Sequence, residues 1–139
     1  MPRVLIDVNI PMYAAGREHP MRAPCQRVVR ALASGDLDGV TDAEVFQEIL
    51  YRYLHIDERA KGFAIFDQFH RIMDGRILPV DDADVLQARA LAERLPRLGA
   101  RDLIHLAVMT RHGIDRILSV DRDFDTVEGI VRLDPIEFV

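Results

Sequence analysis

Cysteine is nearly absent from this sequence. Cys25 stands alone among 139 residues, so no internal disulfide can form. That scarcity fits a reducing cytoplasm, and Cys25, following Pro24 at an expected helix start, reads as a packing residue rather than a nucleophile. Long hydrophobic runs are missing too: the longest largely apolar stretches, such as Ile104–Met109, are far too short to span a bilayer. The opening Met-Pro-Arg-Val-Leu-Ile-Asp reaches an acid too early for the core of a secretory leader, so no targeting segment is expected. Positive charge is also in deficit, with 18 Lys and Arg against 23 Asp and Glu and a formal net charge of −5. This argues against a passive nucleic-acid-binding module with a broad basic surface. It argues less against a nuclease that recruits cations, because bound cations invert the local charge where a phosphate sits.

What is present is ordinary for a soluble globular chain. Hydrophobic residues make up 49% and charged residues 29%, and the length suits one domain, 1–139, with a real core. Val4-Leu5-Ile6 is a short apolar run of the kind that forms a buried parallel strand, and Asp7 ends it. Asn9-Ile10-Pro11 starts a turn and a short helix through Ala15, residues 16–24 read as a loop, and a helix is expected over Cys25–Ala33. Gly39-Val40-Thr41 is a very short strand that feeds a helix. Thr41 and Glu44 have capping-box spacing there, with Val45, Ile49 and Leu50 on its apolar face.

Helices are expected over Asp57–Met73, Ala83–Leu95 and about Arg101–His112, the last stopped by Gly113. Strands are expected at Ile77–Val80, Arg116–Val120 and Ile130–Leu133. The stripe Phe63, Phe66, Phe69 and Ile72 reads as core or dimer interface rather than a base-stacking platform. Alternating strands and helices imply an α/β fold of three layers around a mostly parallel central sheet.

Four acids then stand out: Asp7, Glu48, Asp102 and Asp121. Asp7 and Asp121 follow strand ends, where open parallel sheets bind ligands. Asp102 lies in the first turn of a helix, where the dipole alone is a sufficient reason for an acid. Glu44 is accounted for by capping, which leaves Glu48 as the helix acid available for function. Asp121 has Asp123 and Asp125 beside it, so a surface turn also explains any one of these three. Gathered by the fold, the four would make an oxygen-rich pocket suited to a hard cation such as Mg²⁺ or Mn²⁺. His105 shares a helix face with Asp102 and fits a hydrogen-bonded packing role better than metal ligation. Arg101 and Arg122 flank the acids and either hold phosphate or pair with carboxylates.

The strings Leu5-Ile6-Asp7-Val8-Asn9, Thr41-Asp42-Ala43-Glu44-Val45-Phe46-Gln47-Glu48-Ile49, Ala100-Arg101-Asp102-Leu103-Ile104-His105-Leu106-Ala107 and Leu118-Ser119-Val120-Asp121-Arg122-Asp123-Phe124-Asp125 resemble, in this order and spacing, the PIN-domain family, and within it small VapC-type toxin ribonucleases. The resemblance runs from the first strand to the last. It implies a PIN-like domain in which Asp7, Glu48, Asp102 and Asp121 form a metal site for Mg²⁺ or Mn²⁺, with Asn9 supporting Asp7. Val8 departs from the usual Thr or Ser, and Ser119 stands where Thr is common; neither departure removes an acid. The implied activity is metal-dependent endoribonuclease cleavage of single-stranded RNA, often in a structured loop, leaving 5′-phosphate and 3′-hydroxyl ends.

The implied partners are an RNA substrate, a small antitoxin protein and a second copy of the chain in a homodimer. Tyr51–Leu54 and the exposed part of the Phe63–Ile72 stripe are candidate contact surfaces. A phosphotransfer receiver domain also gathers acids at strand ends, but it needs a lysine near the last strands, and Lys61 is the only lysine. A haloacid-dehalogenase-like phosphatase needs a second acid two residues after its nucleophile, where Asn9 stands. The alternative that survives is a catalytically silent binding or regulatory module of the same fold.

Overall fold

The computed structural model describes residues 2–138, and in it β1 (Val4–Ile6) is the middle strand of a five-stranded sheet. Around it lie β2 (Gly39–Asp42), β3 (Ile77–Leu78), β4 (Arg116–Leu118) and β5 (Val131–Leu133), in spatial order β3-β2-β1-β4-β5 and parallel at every pairing. The helices are α1 (Asn9–Ala14), α2 (Arg22–Ser34), α3 (Ala43–His55), α4 (Arg59–Ile72), α5 (Asp82–Ala92) and α6 (Ala100–Arg111).

Side chains alternate across a strand, and β1 shows how this builds the layers. Val4 and Ile6 point into one core with Ile10, Val28, Leu32, Val45, Ile49 and Phe69, under α1 to α4. Leu5 points the other way, into a core with Leu103, Leu106, Met109 and Ile117, under α5 and α6. Ile6 and Leu5 are both fully buried, worth roughly 1.5–3 kcal/mol each relative to exposure. The result is a three-layer α/β fold with an all-parallel sheet.

The chain builds outward from β1 to β2 and β3, then crosses back to β4 and β5. Strand order therefore reverses between β1 and β4, and a crevice opens beyond their carboxyl ends. Asp7 follows the first of these strands, and Ser119 to Asp121 follow the second.

Several expected boundaries move for identifiable reasons. α2 starts at Arg22, ahead of Pro24, which sits in the first turn where its missing N–H costs nothing. β4 ends at Leu118 rather than Val120. The Val120 amide donates to the Asn9 side chain at 3.1 Å instead of continuing the ladder. Asp81 and Asp84 form a capping box that starts α5 at Asp82. α6 ends as expected, with Gly113 in the left-handed region at φ 67°.

The expected Thr41–Glu44 capping box does not form. Thr41 is still strand, its hydroxyl donating to the Ile6 carbonyl at 2.9 Å, and the N-cap is Asp42, which accepts from the Val45 amide at 3.1 Å. On α4, the buried line is Gly62, Ile65 and Phe69, with Phe66 and Ile72 half-buried and Phe63 exposed. A Cβ at Gly62 would lie 2.4 Å from the Tyr53 Cβ, so glycine sets how closely α4 crosses α3.

Candidate metal centre

Asp7 is 2% exposed, and a carboxylate buried there requires donors. Ser119 donates its hydroxyl to Oδ2 at 2.6 Å, Asn9 its amide to Oδ2 at 3.2 Å, and Val8 its backbone N–H to Oδ1 at 2.8 Å. The Ser119 hydroxyl also accepts from the Asn9 amide at 3.1 Å and from the Asp121 backbone at 3.0 Å. One small side chain thus ties the end of β1 to the end of β4. These donors are all neutral. Burial pushes the Asp7 carboxyl above its ordinary range, with nearby Glu48 adding to the shift and His105 and the Ser119 bond opposing it.

α6 brings Asp102 and His105 to the same place from successive turns. His105 is fully buried: its Nδ1 lies 2.7 Å from Asp42 Oδ2, and its Nε2 lies 3.3 Å from Glu48 Oε1 and 3.8 Å from Asp7 Oδ1. Asp7, Asp102 and His105 each offer a ligand atom, and these atoms lie within 4.8 Å of one another. Burial and the charge of Asp7 push Asp102 up to about 7, with Asp121 and Glu48 adding to the shift and His105 opposing it. Burial works against the charged form of His105, but the charge and hydrogen bond of Asp42, the bond to Glu48 and the charge of Asp7 outweigh it. Its pKa is raised well above the ordinary imidazole value. Several carboxylates strained by burial and repulsion around a single imidazole suit a divalent cation, which supplies positive charge beyond what one imidazole can give.

Of the four expected acids, Asp7 and Asp102 bring carboxylate oxygens within 4.8 Å of each other, and Glu48 joins them through His105. Asp121 stands to one side. Its Oδ1 caps a 3-10 turn (Arg122–Thr126) by accepting from the Asp123 amide at 2.9 Å, and its charge is felt at Asp102. Asp123 lies 3.8 Å from Arg97, and Asp125 binds Arg132 at 2.9 Å and 3.2 Å. Those two acids serve the surface turn. His105 is hydrogen-bonded, as a packing histidine would be, yet its second nitrogen faces the acids.

Sequence reasoning missed Asp42. A buried acid closing a strand signals a partner, and the capping signature of Thr41 and Glu44 hid it. Relieved of capping, Glu44 borders the cluster, and burial raises its pKa. It lies 3.8 Å from Arg101, whose guanidinium also stacks over the Tyr51 ring at 4.2 Å. A groove of about 890 Å³ opens beside the cluster, lined by Asn9, Glu48 and Tyr51 and by the cations Arg17, Arg52, Lys61 and Arg101. A smaller hollow of about 330 Å³ between α1, α2 and α4 is lined by Ala14, Val29 and Ile72 and holds none of the acids.

Parallel strands, a switch-point crevice and converging acids define an α/β protein with an acidic site at the carboxyl edge of its sheet, and comparison with known proteins narrows this to one family. The family model described as the PIN domain matches residues 4–130. The chain belongs to the PIN-domain family. Among named relatives, it is 44% identical over 130 residues to ribonuclease VapC13 of Mycobacterium tuberculosis, covering 94% of this chain and 98% of that protein. It is 37% identical over 118 residues to ribonuclease VapC23 of the same species, covering 85% and 92%. Among solved structures, it is similar in fold to VapBC2 from Rickettsia felis bound to a promoter DNA fragment, with TM-score 0.72, 13% identity, and 95% and 98% of the two chains covered.

Proposed function

We propose that this chain, folded as one domain, is a metal-dependent endoribonuclease and the toxin of a toxin–antitoxin pair. One observation carries the reading above all: ligand atoms of Asp7, Asp102 and His105 lie within 4.8 Å of one another at the switch point of a PIN-family sheet. Relatives named as ribonucleases, similar over most of the chain, support the same assignment.

Asp7 and Asp102 would hold the ion, with Asp121 adding negative charge from the rim. Asp7 is the fixed point, since Ser119, Asn9 and Val8 restrain both of its oxygens. Glu48 lines the groove, where it ligates the ion or orients the attacking water. When bound, Mg²⁺ or Mn²⁺ supplies Lewis-acid polarisation of the phosphate and lowers the pKa of a bound water. Arg17, Arg52, Lys61 and Arg101 give the groove the positive lining that an RNA backbone needs, despite the acidic whole. Hydrolysis would leave 5′-phosphate and 3′-hydroxyl ends.

The protein works in the cytoplasm as a homodimer restrained by a small antitoxin that covers the groove. No helix among the described residues is long and apolar enough to cross a membrane. Tyr51, Leu54, Ile56 and Phe63 are large apolar side chains left exposed on and around α3 and α4, and this exposure supports partner contact at that surface. Substitution of Tyr51 and Phe63 by serine, followed by pull-down with the antitoxin, tests that placement; undiminished capture refutes it.

The activity itself is tested on a pool of structured RNA with Mg²⁺ or Mn²⁺. The wild type is expected to cut, and EDTA or Asp7→Asn to abolish cutting. Equal cutting by both proteins would place the activity elsewhere, and a protein that binds the ion without cutting any RNA would be a silent module of the same fold.

A further inference from the structure

We propose that His105 is itself a metal ligand through Nε2, aimed by Asp42, so that the centre is a mixed nitrogen–oxygen site that favours Mn²⁺ over Mg²⁺. This deepens the metallonuclease reading and rests on it.

Asp42 is the deciding residue. It is fully buried, and both of its oxygens are occupied: Oδ1 caps α3 through the Val45 amide at 3.1 Å, and Oδ2 meets His105 Nδ1 at 2.7 Å. An aspartate pinned to a helix N-terminus cannot swing away, so it fixes the rotation of the imidazole and leaves Nε2 as the nitrogen facing the acids. Metal-bound histidines characteristically give their other ring N–H to a carboxylate in this way. A histidine that merely filled space would not need a buried acid to hold one of its faces toward three others.

The distances agree. Donors around one ion, with bonds of about 2.1 Å, stand roughly 3.0–4.2 Å apart. Nε2 lies 3.3 Å from Glu48 Oε1 and 3.8 Å from Asp7 Oδ1, within that range. Asp102 and His105 also ride on one helix, so their relative position is set by α6 rather than by a loop. Imidazole in a donor set shifts affinity away from Mg²⁺, which prefers oxygen and retains its waters, toward Mn²⁺ and the later divalent metals. Ligation needs Nε2 without its proton, so the incoming ion displaces the proton that His105 otherwise shares with Glu48; if that proton stays, the ion is left in an all-oxygen site.

The test is pulsed electron paramagnetic resonance of the full chain loaded with Mn²⁺, grown with and without ¹⁵N-histidine. A histidine nitrogen coupled to the Mn²⁺ is expected in the wild type, which needs no variant to fold. The coupling should vanish in His105→Gln, with about a tenfold fall in preference for Mn²⁺ over Mg²⁺ measured by calorimetry. Asp42→Asn, which can still cap α3, should keep the coupling and lower Mn²⁺ affinity about 10–100-fold. Mn²⁺ that is displaced by Asp7→Asn yet shows no nitrogen coupling overturns the inference while leaving an oxygen-only metallonuclease intact. Absence of Mn²⁺ binding overturns it as well, and RNA cleavage then decides the metallonuclease reading separately.

Discussion

Two buried carboxylate regions in this molecule receive opposite treatment. Asp84, 2% exposed near the start of α5, is clasped by Arg111 of α6 at 2.9 Å and 2.8 Å and by the Asp81 amide at 2.8 Å. The Arg111 hydrogen bonds outweigh burial and lower its pKa. Asp7 is equally buried, but its close donors are neutral and its pKa is raised. The contrast separates structural acids from available ones. Where an acid only locks α5 to α6, the fold supplies a permanent cation. At the carboxyl edge of the sheet it gathers acids around one imidazole and leaves charge to be completed from outside.

Exchanging the two acids for their amides is the strongest way to break this contrast. Asp7→Asn is expected to lower RNA cleavage by about 10²–10⁴-fold, because metal-based charge stabilisation is worth several kcal/mol. The same variant should melt, metal-free, no lower than the wild type, since it removes a strained buried charge. Asp84→Asn should behave oppositely, with a melting temperature several degrees lower and cleavage within about twofold of wild type at permissive temperature. Loss of cleavage without loss of stability in Asp84→Asn would erase the distinction.

A pH series sharpens it. The folded-state pKa of Asp102 is about 7 against an ordinary 3.8, so between these values the folded chain binds more protons than the unfolded one. Its contribution to stability is complete below the ordinary value and is lost as pH rises through about 7. Asp7 and His105 are shifted upward as well and push in the same direction. Asp84 has the reverse sign: its contribution is present above the ordinary carboxylate range and fades as pH falls through its lowered pKa. The metal-free melting temperature should therefore fall from pH 5 to pH 8, and saturating Mn²⁺ should flatten or reverse that slope. A metal-free profile that rises over this interval contradicts the assignment of Asp102 as a strained acid.

The same contrast explains what was legible in the sequence. Asp7 is visible because an apolar run ends in an acid, and the three-layer architecture follows from strands and helices alternating along the chain. Local pattern also locates the α6 acid and its histidine one turn apart. It does not reveal that Ser119 bonds Asp7 across 112 positions, or that Asp42 holds His105 across 63. Those contacts depend on strand order, which periodicity does not encode. The capping error has the same root. Thr41 and Glu44 carry the capping signature, but pairing with β3 and the bond to Ile6 keep Thr41 in the sheet, and the cap falls one residue later.

The smallest expected difference lies inside the cluster, between Asp102 and Asp121. Sequence treats them as equals, and their surroundings do not. Asp102 has a carboxylate oxygen within 4.8 Å of the Asp7 and His105 donors, whereas one oxygen of Asp121 is committed to the Asp123 amide at 2.9 Å. That bond makes Asp121 a turn cap that lends negative charge from the rim. Asp102→Asn should therefore weaken Mn²⁺ binding about tenfold more than Asp121→Asn, equivalent to roughly 1.4 kcal/mol. Calorimetric titration of both metal-free variants measures the difference. Equal losses would mean that Asp121 releases its cap and turns inward when the ion binds. A larger loss in Asp121→Asn would move the centre toward β4 and away from α6.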